Sequence, residues 1–391
     1  MPSRTILCVH NTYRQPGGED RCFETETALL ERGGHSVVRY LDDNTRITSG
    51  VVTGLRATWN GNSYRQLQAV ARSRNPDLAH FHNIFPLISP AAYYAVRRQR
   101  VPIVQTLHNF RLLCPGAMLL RDGKVCEECI ERRSWLPALA HRCYRGSRSA
   151  TAAVATMLEV HRAAGTWQRL VDVYIAPAEF VKRKFIEAGF PSERIMVKPG
   201  TVAPDPGKGE GRGGYALFVG RLSGEKGVQT LTDAWRELPE VPLLVAGQGP
   251  LEGMTWPASV TLLGNQPREH VNALMKDARV LIVPSVWYET GPLTILEAFA
   301  CGLPVIVSDL GCMSERVQHR RTGLLFRPGD AKDLARQVRW AFDHPAELAP
   351  MRAAVRREFE EKYSAEQNYR TLMAIYDTAI ENNRRGRHAS H

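Results

Sequence analysis

Apolar positions along this chain recur at two spacings. Runs of four to eight apolar, often β-branched residues alternate with longer segments whose apolar residues return every three or four positions. "TILCVHN" is followed by the helical "EDRCFETETALLERGG". "HSVVRYL", "DLAHFHN" and "VPIVQTLHN" read as strands, and "DVYIAPAEFVKRKFIEAG" as a strand feeding a helix. Strands of this kind separated by helices predict a parallel sheet covered on both faces. Beyond "KPGTVAPDPGKGEGRGG", a proline- and glycine-rich stretch read as a linker or long surface loop, the alternation restarts. "YALFVG", "VPLLVAGQGP", "VTLLG", "RVLIVPS" and "PVIVSD" are strands. "GVQTLTDAWREL", "REHVNALMKDA", "PLTILEAFACG", "AKDLARQVRWAFD" and the tail over 346–383 are helical, and the final "RRGRHASH" is read as frayed.

Two doubly wound α/β domains follow from this pattern, in keeping with the chain's 391 residues. The boundaries read are 1–197 for the first domain, with a cysteine-rich insertion at about 110–148, then a linker over 198–213. The second domain runs over 214–362, and a C-terminal helix over 363–391. In open α/β sheets ligands bind beyond the carboxyl ends of the strands, so the loops after strands are where chemistry is expected. The chain has no apolar run of the ~18 residues that crosses a membrane. Its start reads as a first strand rather than a leader peptide, which gives an expectation of a cytoplasmic protein.

Charge sharpens the picture. The formal net charge is +11; residues 1–200 carry 28 Lys+Arg against 17 Asp+Glu, while 201–391 carry 23 of each. The basic half suggests an anionic neighbour such as a diphosphate, a lipid headgroup or a nucleic acid. Around the insertion, Arg132, Arg133, Arg142, Arg145 and Arg148 lie among Trp135 and Tyr144. Tyr93, Tyr94, Arg97, Arg98 and Arg100 precede them, a mixture suited to an anionic membrane surface.

Three stretches carry candidate chemistry. In "FVGRLSGEKGVQTL" a strand ends at Gly220, and Arg221 and Lys226 flank a short turn before a helix, a combination suited to phosphate. In "VPSVWYETGPLTILEAFACG", Glu289 sits in the loop after a strand and Glu297 inside the next helix. Carboxylates at such places accept hydrogen bonds from paired hydroxyls of a sugar or ribose. Cys114, Cys126, Cys129 and Cys143 include one C-x-x-C pair, and four thiolates fit a tetrahedral structural zinc; free thiols or a redox pair are the alternatives.

"GRLSGEKG", "AGQGP", Glu289-x7-Glu297, "CGLPVIVSD" and "TGLLFRPGD", with "PGGED" and "VQTLHN" in the first half, resemble the retaining glycosyltransferases of family 4. The resemblance covers nearly the whole chain. It implies a GT-B fold, two Rossmann-like domains facing a cleft, with the C-terminal helix crossing back to the first domain. By position it implies that Arg221 and Lys226 bind and stabilise the leaving diphosphate, that Glu289 contacts the donor sugar, and that Glu297 holds the ribose. Gly17 and Gly18 would let the backbone approach phosphate and acceptor, and His108 would sit beside the transferred sugar. Gly220, Gly291, Pro292 and Leu293 would line the donor site. Thr290-Gly291-Pro292 departs from the Phe-Gly that members often carry after the first glutamate, which bears on the choice of sugar.

No catalytic metal or cofactor is implied; the donor would be a UDP- or GDP-sugar. The expected partners are that nucleotide sugar, a glycan or lipid-linked acceptor in cell-surface polysaccharide or glycolipid assembly, and the inner face of a membrane through the basic half. The rival readings are transfer to a small soluble metabolite, a catalytically silent sugar-nucleotide sensor, and nucleic-acid binding. The last is not expected, since no nucleic-acid motif accompanies the charge.

Overall fold

A computed structural model describes residues 2–14, 17–47 and 50–388. Two compact units emerge. The first comprises the chain up to Leu119, Glu127–Pro199, and the chain from Asn368 onward. Its strands are β1 (Thr5–Thr12), β2 (Ser36–Asp43), β3 (Leu78–Phe81) and β4 (Ile103–Thr106). After a two-residue hairpin of β5 (Leu120–Arg121) and β6 (Lys124–Val125) come β7 (Val173–Ala176) and β8 (Ile195–Val197). The hairpin segment Leu120–Cys126 clusters with the second unit. The first sheet runs β2-β1-β3-β4-β7-β8, parallel throughout.

The second unit, Leu120–Cys126 and Gly200–Gln367, holds β9 (Ala216–Val219), β10 (Leu243–Ala246), β11 (Val260–Gly264), β12 (Val280–Val283), β13 (Val305–Ser308) and β14 (Gly323–Phe326). Their order, β11-β10-β9-β12-β13-β14, is also all parallel. This is the doubly wound arrangement, which changes direction beside its first strand. Side-chain alternation serves both faces: Phe218, Ile282 and Ile306 join the core on one side, and Leu217, Leu281, Val305 and Val307 the core on the other.

In the first unit, Ile6, Cys8, Val104 and Val173 pack with Phe23 and Leu30 of helix α1 (Gly18–Arg32). They also meet Leu372, Met373, Ile375, Tyr376 and Ala379 of the helix Ala365–His388. Burying each such side chain contributes about 1.5–3 kcal/mol, so this helix is integral to the first unit's core.

Two sequence expectations change. The proline- and glycine-rich stretch is tied down rather than loose. Gly209 N donates to Cys301 O at 2.9 Å, Gly211 N to Lys276 O at 2.9 Å and Gly213 N to Asp277 O at 2.8 Å. The last two cap the orphan carbonyls at the end of the helix Arg268–Asp277. Glycine is needed because a Cβ at Gly209 would lie 2.3 Å from the Lys276 backbone. The tail is two helices, Pro345–Glu358 and Ala365–His388, joined by a π turn over Phe359–Tyr363 and an extended Ser364. Of the end read as frayed, residues 384–388 continue the last helix, and 389–391 lie outside the described residues. The helices Gly50–Thr58, Gly61–Arg74 and Arg148–Ala163 were not expected. In the second of these, Ser63, Leu67 and Ala71 form a buried stripe only one residue wide.

Candidate active site

In the second unit, the loops at the carboxyl ends of β9 and β12 converge. Gly227 makes this approach possible: its φ is +71°, and a Cβ there would stand 1.8 Å from the carbonyl oxygen of Pro284, next to the end of β12. Val286 N bonds to Glu225 O at 3.0 Å and fixes the two loops together. Lys226 is thereby carried to Glu289. Its Nζ donates to Glu289 Oε1 at 2.7 Å, an atom that also accepts from Ser285 Oγ at 2.7 Å and Trp287 Nε1 at 3.0 Å. Lys226 Nζ also lies 5.6 Å from the Trp287 ring centroid. Cys312 Sγ contacts the Glu289 carbonyl oxygen at 2.9 Å. Glu289 is buried while Lys226 stays partly open, so the pair combines a held carboxylate with an ammonium that solvent or a ligand can reach.

Arg221 is more exposed. Its guanidinium pairs with Glu225, and its Nε donates to Ser223 Oγ at 3.2 Å. Burial alone would raise the Glu225 carboxyl, but hydrogen bonds from Ser223 and Arg221 outweigh it and hold the group below the usual carboxylate range.

Glu297 stands in the helix Leu293–Ala300 with 2% of its surface exposed and is paired with Arg268. A buried carboxylate needs a partner, and Arg268 supplies it. Pro292 sits at the N-cap of that helix. Glycines recur at or just past the ends of β9, β10 and β11: Gly220, Gly247 and Gly264. A Cβ on Gly247 would lie 1.9 Å from Gly220 O, so backbone and not side chain lines this edge.

In the first unit, Gly17 and Gly18 open α1. Gly17 N donates to Asp20 Oδ2 at 2.7 Å, while Asp20 Oδ1 takes Tyr13 N at 3.2 Å and His10 Nε2 at 3.0 Å. These bonds outweigh the effect of burial and leave the Asp20 carboxyl below its usual range. His108 follows β4. Its Nε2 lies 2.9 Å from His82 Nδ1, and behind that pair are His80, Glu26 and Lys198. Burial holds the His80, His82 and His108 imidazoles below the usual range, His80 down to about 4. Glu26 is opposed by burial but held low by Lys198 and His80.

The insertion carries Cys114, Cys126, Cys129 and Cys143. Cys126 belongs to the segment that clusters with the second unit, the other three to the first. Gly116 packs beside Cys114 and Cys143. Among the described residues, the groups of three or more ligand atoms within 4.8 Å of one another are Glu26–His80–His82 and Cys22–His82–His108, and neither includes an insertion cysteine.

Sequence reasoning passed over Arg268, Ser285, Trp287, Glu26, His80, His82 and Lys198. Only the H-x-H inside "DLAHFHN" offered a local signal; the rest meet through the fold.

Together, two parallel Rossmann-like sheets define a doubly wound α/β protein, and the Lys–Glu pair at strand ends marks its candidate site. Comparison with known proteins makes this specific. The family description "Glycosyltransferase Family 4" matches residues 17–205, and "Glycosyl transferases group 1" matches 207–358. The 2-deoxystreptamine glucosyltransferase of Streptomyces kanamyceticus is 30% identical, over 79% of this chain and 79% of that protein. The amylovoran biosynthesis glycosyltransferase AmsK of Erwinia amylovora is 27% identical over 50% of this chain, an alignment that spans only 54% of that relative's length. The solved structure of Anabaena HepE with UDP and glucose superposes with a TM-score of 0.71 at 18% identity, covering 96% of this chain and 100% of that one. The chain belongs to glycosyltransferase family 4 and has the GT-B α/β fold.

Proposed function

We propose that the protein is a retaining transferase that moves a sugar from a nucleoside diphosphate to a glycan or lipid-linked acceptor in cell-surface polysaccharide or glycolipid assembly. The observation that carries this is the Lys226–Glu289 pair, 2.7 Å apart at the meeting of two strand-end loops. Lys226 and Arg221 neutralise the diphosphate as it leaves, which needs no catalytic metal. Glu289, held by Ser285 and Trp287, accepts hydrogen bonds from the donor sugar, and Glu297 from the ribose. The anomeric C–O bond to the diphosphate breaks, the acceptor oxygen bonds to the same face of that carbon, and its proton passes to a diphosphate oxygen. In this reading, Gly17, Gly18 and His108 serve the acceptor side. The relative named for amylovoran biosynthesis supports a polysaccharide setting. The basic first half, with Leu136 and Leu55 exposed, supports work at an anionic membrane surface on the cytoplasmic side.

The test is a thermal-shift panel of UDP, GDP, ADP and their sugar conjugates on wild type and Glu297→Ala. UDP compounds come first, because HepE was solved with UDP and glucose. A ligand at one hundred times its Kd adds about 2.7 kcal/mol. The expected outcome is that one base series raises Tm in wild type and not in the variant. NMR of the product should then show the donor's anomeric configuration retained. No shift with any nucleotide and no sugar transfer would overturn the reading.

A further inference from the structure

Behind the candidate acceptor residues, the first unit buries a cluster that glycosyl transfer does not explain. Helix α1 presents Cys22 and Glu26, four residues apart and so on one face. Strand β3 contributes His80, and His82 follows one residue past its end, so the two alternate onto the same side. Glu26 and the two histidines are at most 3% exposed.

Each of the three side chains has its outer atom held. Glu26 Oε1 takes Lys198, His82 Nδ1 faces His108 at 2.9 Å, and His80 Nε2 faces Thr106 Oγ1 at 2.7 Å. Their inner atoms converge. Glu26 Oε2 lies 3.7 Å from His82 Nε2 and 3.9 Å from His80 Nδ1. Glu26 Oε2 and His82 Nε2 are both buried without a hydrogen-bond partner. Leaving two such groups unsatisfied is costly, and their separation is too long for a hydrogen bond. It is close to the roughly 3.3–3.6 Å between two donors on one ion with bonds of about 2.0–2.2 Å.

We propose that Glu26, His80 and His82 form a binding site for a divalent transition-metal ion, of which Zn2+ is the natural probe. Two imidazoles and a carboxylate are an established donor set for such ions. Outer-atom bonds of the kind seen here orient metal ligands in general. The Tyr376 hydroxyl, now 2.9 Å from His80 Nδ1, gives up that bond. Cys22 Sγ, 3.6 Å from Glu26 Oε1, stands at the edge of the site. Lys198 already balances the carboxylate, so a bound ion adds net positive charge. The ion would join α1 to β3, since Glu26 comes from the helix and His80 from the strand. The proposal is independent of the donor reaction.

The test uses the full chain, stripped with a chelator and titrated with Zn2+, and with Co2+ as a visible probe. Wild type is compared with Glu26→Gln, His82→Asn and Cys129→Ser, the last controlling for the insertion's thiols. Wild type and Cys129→Ser should take up the ion, gain visible Co2+ absorption and rise in Tm. Glu26→Gln and His82→Asn should lose affinity on the order of a hundredfold or more, with unchanged far-ultraviolet circular dichroism showing that they are folded. Glu26→Gln is nearly isosteric, so it remains informative if His82→Asn fails to fold. The proposal is overturned if wild type takes up no ion, or if uptake survives in Glu26→Gln and disappears in Cys129→Ser.

Discussion

The two sheets each have six strands, all parallel, but their interiors differ. Strands β9, β12 and β13 of the second unit read ALFV, VLIV and VIVS; their ends, rather than their interiors, carry the chemistry. In the first unit the sheet itself is polar at its centre: His10 in β1, His80 in β3, and Gln105 with Thr106 in β4 are all buried. Lys198 and Glu26 lie at 2–3% side-chain exposure beside them. The second unit separates packing from chemistry, so each can vary alone. The first merges them, so its polar residues answer for stability as well.

The largest effect expected from this contrast is in the first unit. Lys198→Met leaves the Glu26 charge buried without its partner and should cost about 3–5 kcal/mol in urea unfolding. A cost below about 1 kcal/mol would mean that the pair is not buried as a charge pair. Next in size, Lys226→Ala in the second unit should cut the transfer rate on the order of 10²–10³-fold while barely moving Tm, because the side chain is partly open. Equal damage to stability would erase the contrast.

Acid should separate the units as well. Burial pushes the His80 imidazole down to about 4 from its ordinary 6.5, and lowers His82 and His108 too. Between those values the unfolded chain takes up protons that the folded one refuses, so stability is present above 6.5 and falls as pH drops towards 4. In the second unit, Asp205, Glu225 and Asp333 have lowered carboxyls, whose contribution is lost only at lower pH. Limited proteolysis mapped by mass spectrometry at pH 7.5 and pH 5 should therefore show the first unit opening first. The smallest effect is a control. Ser147 and Asp330 each cap a helix through a side-chain oxygen, one in each unit. Replacing either by Ala should cost about 1 kcal/mol, alike in both.

The same contrast explains what was legible in the sequence. The second unit's strands announce themselves by unbroken apolar runs, and the helix Ala331–Asp343 begins where Asp330 caps it. Glu289 and Glu297 could be singled out because each stands next to residues that fix its element. The buried cluster could not be read in this way. Glu26 and Lys198 are 172 positions apart, and His80 and Tyr376 are 296 apart. A histidine inside a strand looks the same whether it packs or ligates. The Gly209–Gly213 stretch misled for a related reason: its glycines mark close approach to a helix end, a use that composition cannot distinguish from looseness.

The chain from Asn368 onward has a consequence for biosynthesis. It completes the first unit's core with Leu372, Met373, Ile375 and Tyr376, yet it leaves the ribosome only after Gly200–Gln367 has been made. The nascent first unit must therefore wait, with its sheet face and its Glu26–Lys198 pair uncovered, while the later unit can close on its own. Vectorial synthesis normally favours the N-terminal domain; here the first unit's core can be completed only after the second unit's chain has been made.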